Sequence, residues 1–243
     1  MYAMKNVTIL SILSLLLVQI SAKAQQGNTA PRPQVSFEAF EEKLKRAGNR
    51  AQILDARSEE EYQQNHLIGA VAFSVADEAD FQQHVKRLKR EDPVFVYSIG
   101  NGRSGQLAQK LREAGFKDVT ELPGGLSKWI GLGRPVASTV AAGWSLADYQ
   151  AQLEPDKLVL VDFGSRYCGA CKKLAPTVDA LEKEQAAAIK VIRVEAYENK
   201  ALVKELGITA LPTLVLYKGK KAVWQKTGVT PKAEIQARIA EAL

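Results

Sequence analysis

Two short runs constrain this chain more than anything else in it. Pro93-Val94-Phe95-Val96-Tyr97 and Leu158-Val159-Leu160-Val161-Asp162-Phe163 are apolar, β-branched and aromatic almost throughout. Such runs read as strands buried on both faces. A strand of that kind needs cover on both faces of its sheet, and the alternation of helices with buried strands in the first block implies a parallel sheet there. Helical patterns flank each run. Ser36 is placed to cap a helix with Phe37, Phe40 and Leu44 on one face and Gly48 at its end. Further helices are expected over 77–90 and 104–114, with short strands at 51–54 and 119–122. After the second run, helices are expected over 168–185 and 199–206, with a strand over 189–194. The segments 213–217 and 222–226 read as a hairpin across Lys218 to Lys221. Thr230-Pro231 opens a last helix with Pro at its first position.

The two runs belong to separate blocks, 35–136 and 144–243, with a small-residue linker over 137–143. The length of 243 residues accommodates two domains. At 46% hydrophobic and 25% charged, the composition excludes collagen-like and wholly disordered chains. A formal net charge of +6 is mild. Neither block carries a basic stripe with interleaved aromatics, so no nucleic-acid partner is expected.

Residues 1–24 read as an address. Lys5 supplies a positive start, Val7 to Ile20 a short apolar run, and Ala22-Lys23-Ala24 a small-x-small cleavage site. The run is short for a membrane-spanning helix. Cleavage after about Ala24, a flexible leader over 25–34, a periplasmic or secreted location and no membrane insertion afterwards are the expectations.

The chain has two cysteines, Cys168 and Cys171. A disulfide framework is excluded, and a pair so close in sequence constrains an unfolded chain only weakly. Its placement at a strand-to-helix junction suits redox chemistry. A cysteine at a helix N-terminus meets unpaired N–H groups and the positive end of the dipole, which favour a thiolate. Lowering a thiol pKa from about 8.5 to about 7 raises its thiolate fraction at neutral pH from roughly 3% to 50%. The loss of intrinsic nucleophilicity takes back most of that gain, but the same sulfur also leaves faster. Cys168 is thus the expected nucleophile and Cys171 the resolving thiol. Half a zinc site is the competing use of the motif, but His66 and His84 lie in the other block, and no metal or other cofactor is expected. Haem attachment wants His where Lys172 stands.

The stretch Val159-Leu160-Val161-Asp162-Phe163-Gly164-Ser165-Arg166-Tyr167-Cys168-Gly169-Ala170-Cys171-Lys172 resembles the VLVDFWAxWCGPCK pattern of the thioredoxin family. Gly207-Ile208-Thr209-Ala210-Leu211-Pro212-Thr213 resembles that family's GIxxxPT segment. The resemblance covers about 144–243 and implies a mixed sheet. It further implies that Pro212 is cis beside the cysteines and that the Leu211 backbone pairs with an extended substrate. Asp162 is implied as a buried acid that shuttles the Cys171 proton, with Arg193 where the family often has a lysine. Tyr167 and Gly228 are implied at the substrate groove. Gly164 and Tyr167 replace two family tryptophans, and Ala170 replaces a proline.

Asp55-Ala56-Arg57 through Glu61-Tyr62 to His66-Leu67-Ile68-Gly69-Ala70 resembles the rhodanese pattern DxRxxxEYxxGHIxGA. Leu122-Pro123-Gly124-Gly125-Leu126-Ser127-Lys128-Trp129 resembles the closing segment of that fold. An active rhodanese carries its sulfur on a cysteine that begins the loop here running from Ser98 to Arg103. Serine holds no sulfane sulfur, so no sulfurtransferase activity is expected at this loop, although Ser98, Arg103 and backbone N–H groups remain a candidate anion site. Asp55 and Arg57 read as a structural pair, His66 as structural and His84 as solvated.

The expectation is therefore a two-domain α/β chain, rhodanese-like then thioredoxin-like. Its expected function is an exported thiol–disulfide oxidoreductase, acting on protein disulfides with a membrane or exported redox partner. A binding or scaffold protein without turnover, and a sulfurtransferase with Cys168 as persulfide carrier, are the alternatives.

Overall fold

The computed structural model describes residues 35–74, 78–153 and 156–243. The expected signal segment, cleavage site and leader lie outside them. Ser36 accepts a hydrogen bond from the Ala39 N–H and caps α1 (Phe37–Ala47), as its position predicts. Then follow β1 (Gln52–Asp55), α2 (Glu59–Gln64), β2 (Asn65–Leu67), β3 (Ala70–Ala72) and α3 (Glu78–Val85). β4 (Val94–Tyr97), α4 (Gly102–Glu113), β5 (Val119–Glu121) and α5 (Gly125–Gly131) complete the first block, before β6 (Val136–Ser138). The expected helix over 77–90 is shorter because the chain passes into tight turns, with Arg87 and Leu88 N–H groups bonded to His84 and Val85 carbonyls.

The second block contains α6 (Leu146–Ala151), β7 (Leu158–Gly164), α7 (Gly169–Glu184), β8 (Ile189–Glu195) and α8 (Lys200–Glu205). It ends with β9 (Thr213–Lys218), β10 (Lys221–Thr227) and α9 (Lys232–Ala242). Ser145 and Asp148 form a reciprocal capping box at α6. Pro231 is the residue before α9 rather than its first, because its ψ of 141° is extended.

The first sheet has the order β3-β1-β4-β5 and is parallel throughout. The second, β10-β9-β7-β8, is mixed: β7 pairs parallel with β8 and antiparallel with β9. The start of the expected linker is structured, since β6 pairs antiparallel with β2 and ties the departing chain to the first domain. Among the described residues no helix is long and apolar enough to cross a membrane.

Strand alternation sorts the core into three clusters. Val94 and Val96 face a cluster with Leu107 and Leu111 of α4, while Leu158 and Leu160 face Leu174, Val178 and Leu181 of α7. Phe95 and Tyr97 of β4, on the other face, share one contiguous cluster with Val159, Val161 and Phe163 of β7. The described residues accordingly form a single compact unit. Within it α5 packs on α8. A Cβ at Gly131 would lie 2.8 Å from the Thr209 Cα, so only glycine permits that approach.

A buried charge lies at this junction. Arg57 is 1% exposed and Asp55 0%. The Arg57 Nε donates to both Asp55 carboxylate oxygens at 2.8 and 3.1 Å, and Nη2 donates to Oδ2 at 2.6 Å and to the Asn65 carbonyl. The guanidinium carbon sits 5.8 Å from the Tyr97 ring and 5.9 Å from the Tyr197 ring, the latter from the second domain. Burial opposes the charge, and the Asp55 carboxylate outweighs it, so the Arg57 pKa is raised. Removing one partner strands the other, and Arg57→Ala is expected to cost about 3–5 kcal/mol of stability in urea unfolding. The apolar double variant Asp55→Leu/Arg57→Met is expected to cost less than that single change.

Candidate active site

β7 delivers the chain to the site. Its last turn before α7 is held by the Arg166 N–H, which donates to Glu195 Oε2 at 2.9 Å, and by the Cys168 N–H on the Ser165 carbonyl at 3.0 Å. Cys168 then occupies the cap position of α7 with extended backbone. It is disulfide-bonded to Cys171. The Cys171 N–H points at the Cys168 sulfur at 3.2 Å. In the reduced protein that donor and the helix dipole favour a thiolate at Cys168. Both thiols are thus committed to each other, and among the described residues no cluster of His, Cys, Asp and Glu is arranged for a metal.

Asp162 lies on β7 below the disulfide. A Cβ added at Gly164 would stand 3.7 Å from both Asp162 Oδ1 and Cys171 Sγ, so these two atoms flank one point. Asp162 Oδ1 is buried and has no hydrogen-bond partner among the described residues. Burial pushes the carboxyl up to about 6, against the pull of Arg193 and with a smaller push from Asp179. Arg193 is the β8 neighbour of Asp162 in register. Its guanidinium, however, is bound to Asp179 at 2.6 Å and Glu182 at 2.9 Å on α7.

The Leu211–Pro212 peptide is cis, in agreement with the resemblance. Gly228 donates its N–H to the Pro212 carbonyl at 2.8 Å, which fixes it behind the turn. Tyr167 and Leu211 line the cavity beside Cys168.

The loop from Ser98 to Arg103 lines the same cavity. Its two candidate anion ligands are committed elsewhere. The Ser98 hydroxyl donates to the Gly100 carbonyl at 2.9 Å and accepts from the Ser104 N–H at 3.3 Å. Arg103 makes two bonds to Glu61, at 2.5 and 2.7 Å. Burial alone would raise the Glu61 pKa, but Arg103 holds it below the usual range. Arg103 at this loop is therefore paired with Glu61 while keeping part of its side chain exposed. His66 stacks on Tyr62 at 4.0 Å and its Nδ1 meets the Tyr62 carbonyl at 2.8 Å, a structural role.

Three residues were not singled out from the sequence. Glu60 accepts a hydrogen bond from the Tyr167 hydroxyl at 2.7 Å, and Gln64 donates to that hydroxyl at 2.8 Å. Tyr197, 1% exposed, inserts between the domains, its carbonyl 3.4 Å from Asn65 Nδ2 and its hydroxyl 3.5 Å from Ser127 Oγ. Local periodicity carries no signal for contacts of this sequence separation.

Residues 141–241 match the family model described as Thioredoxin, and residues 36–132 match that described as Rhodanese-like domain. The thioredoxin of Alicyclobacillus acidocaldarius subsp. acidocaldarius is 35% identical over 97 residues, which cover 40% of this chain and 92% of that protein. The chain belongs to the thioredoxin family. Thioredoxin 1 of Nostoc sp. is 37% identical over 86 residues, covering 35% of this chain and 80% of the relative. The thioredoxin of Rickettsia felis is 39% identical over 80 residues, covering 33% and 76%. A rhodanese-like domain thus precedes a thioredoxin domain, and the protein is a thiol–disulfide oxidoreductase.

The raised Asp162 pKa has a measurable sign. A carboxyl whose pKa rises on folding destabilises the fold once pH passes its unfolded value near 4. The cost is complete above the folded value of about 6. In the oxidised thioredoxin domain Asp162→Asn is expected to stabilise the protein at pH 8 by about 2–3 kcal/mol. That gain should vanish on acidification to about pH 4, as read from urea midpoints across the range.

Proposed function

We propose that this protein is an exported thiol–disulfide oxidoreductase in which Cys168 attacks, Cys171 resolves and Asp162 takes the proton of Cys171. The single observation that supports this reading most is the Cys171 N–H aimed at the Cys168 sulfur at the head of α7. The reduced Cys168 thiolate forms a bond to one sulfur of a substrate disulfide, and the other sulfur leaves as a thiolate that takes up a proton. Cys171 loses its proton to Asp162 and attacks Cys168, which releases the second substrate thiol and leaves the Cys168–Cys171 disulfide. Two electrons pass to the substrate, whose two departing thiolates take up one proton from solvent and one that Cys171 has given up through Asp162. Regeneration falls to a membrane or exported dithiol partner. The signal-like pattern of residues 1–24 supports export to the periplasm or beyond.

The rhodanese-like domain has no thiol of its own, since Ser98 stands at the head of its loop. Its proposed part is binding rather than chemistry. A second reading draws on the cavity that Cys168 shares with this loop: Cys168 carries a sulfane sulfur there. Thiocyanate formed from thiosulfate and cyanide, and lost in Cys168→Ser, would favour it.

The experiment is trapping. With a disulfide substrate, Cys171→Ser is expected to accumulate a covalent mixed disulfide at Cys168, seen as a mass adduct that reductant removes. Cys168→Ser should form no adduct and show no turnover. Turnover in either variant at the wild-type rate would contradict the assignment.

A further inference from the structure

The two ends of the disulfide are unequally exposed. Cys168 is only 4% exposed, whereas its partner Cys171, a turn deeper into α7, is half-buried. Cys168 faces a cavity of about 680 Å³. One wall is the segment from Tyr167 to Ala170 with the Ala210–Leu211 turn, and the other is the rhodanese-like loop from Ser98 to Arg103. The volume falls in the range of about 300–1,000 Å³ usual for ligand pockets.

That second wall is fixed. The Tyr167 hydroxyl, beside the disulfide, is held by Glu60 and Gln64 of α2. Behind it, Tyr197 is packed on Arg57 and Gly131 lies against Ile208 and Thr209. One contiguous apolar cluster runs through both domains. The loop itself is pinned, with the Leu126 and Ser127 N–H groups bonded to the Ser98 and Ile99 carbonyls at 2.9 and 3.2 Å. A Cβ on Gly125 would lie within 2.7 Å of three loop carbonyls, so glycine with its φ of +62° is what lets α5 support the loop this closely. Withdrawing the wall would expose the apolar cluster and the Arg57 charge.

We propose that the rhodanese-like domain acts as a fixed selectivity wall for the dithiol. The cleft takes a cysteine disulfide carried on a peptide segment no thicker than one extended strand, and excludes a disulfide set in a folded surface. The inference rests on the reading of Cys168 as nucleophile. A folded partner approaching Cys168 meets the loop from Ser98 to Arg103 first, while an extended segment can run between that loop and Leu211. The lining supports recognition of main chain over charge. Ile99, Ala170 and Leu211 are apolar, Gly100 and Gly102 present backbone, and Glu61 neutralises Arg103. In one turnover the reduced pair gives two electrons to the substrate disulfide, which leaves as two thiols after taking up one proton from Cys171 by way of Asp162 and solvent and one from solvent directly.

The test uses the full chain, pre-reduced and freed of reductant. Its reoxidation is followed with a short flexible peptide closed by one disulfide and with native insulin. The Alicyclobacillus acidocaldarius thioredoxin, whose length the match to the second domain nearly fills, is the comparator without a wall. The ratio of peptide to insulin rate constants is expected to be about tenfold or more higher for the two-domain protein. Gly100 and Gly102 have open space where a Cβ would project, and neither has positive φ. Gly102→Trp, and independently Gly100→Trp, should fill the cleft and slow the peptide reaction by about tenfold. Each should leave the equilibrium with a thiol buffer unchanged. A ratio equal to the comparator's, or tryptophan variants that react at the wild-type rate, would overturn the wall while leaving the dithiol assignment intact. Failure of the reduced protein to react with either disulfide would overturn the dithiol reading, and the wall with it.

Discussion

A guanidinium at 1% exposure must find its counter-charge inside the protein, and Arg57 finds it at the junction of two domains, with Nε and Nη2 bonded and Nη1 buried without a hydrogen-bond partner among the described residues. Asp55 and the Asn65 carbonyl belong to the first domain, while one of the two aromatic faces beside it is Tyr197 of the second. An isolated ion of this kind is strongly penalised. The arrangement therefore couples the first domain's integrity to the seating of the second. Tyr197 follows β8 directly, so the strand that pairs with β7 also carries the interdomain anchor. What positions Cys168 along β7 thereby positions it relative to the loop from Ser98 to Arg103.

This coupling gives the departures from the thioredoxin pattern a shared physical sense. Tyr167 stands where the family carries tryptophan, and its hydroxyl bonds to Glu60 and Gln64 across the domain boundary. An indole has one N–H donor and no acceptor, so it cannot both donate to Glu60 and accept from Gln64. Gly164 replaces the other tryptophan and leaves the point between Asp162 and Cys171 free of a side chain. The loss of apolar rim at these positions accompanies the arrival of a second wall from the first domain. Ser98 fits the same logic: with its hydroxyl turned into the loop, it helps shape a wall and brings no thiol to it.

The parts legible in the sequence were those written in local pattern. The buried runs at 93–97 and 158–163 announced two sheets, because continuous apolar strands need cover on both faces. Cys168, Cys171 and Pro212 were legible through ordered motifs, and the Asp55–Arg57 pair through its spacing. At three residues each, β2, β3, β5 and β6 are too short to show a period, and only β5, within 119–122, was legible. Pro231 fell one place outside its helix because the sequence does not reveal its ψ. The pairing of Arg103 with Glu61 and of Tyr167 with Glu60 joins residues 42 and 107 positions apart. Such contacts follow from the docking of elements, and no window of the sequence contains both partners.

The oxidoreductase function depends first on Cys168 and Cys171 acting as one two-electron couple. Equilibration of the full chain in thiol–disulfide buffers of graded potential, with both thiol states quantified, tests this most directly. A single transition is predicted, with about 30 mV per tenfold change in the oxidised-to-reduced ratio, and with both cysteines changing state together. Its midpoint would place the protein between about −270 mV, the value of a thioredoxin reductant, and about −120 mV, that of a strong oxidant. Failure of the two cysteines to form a disulfide at any potential, or their independent one-thiol titration, would contradict a dithiol couple at Cys168 and Cys171.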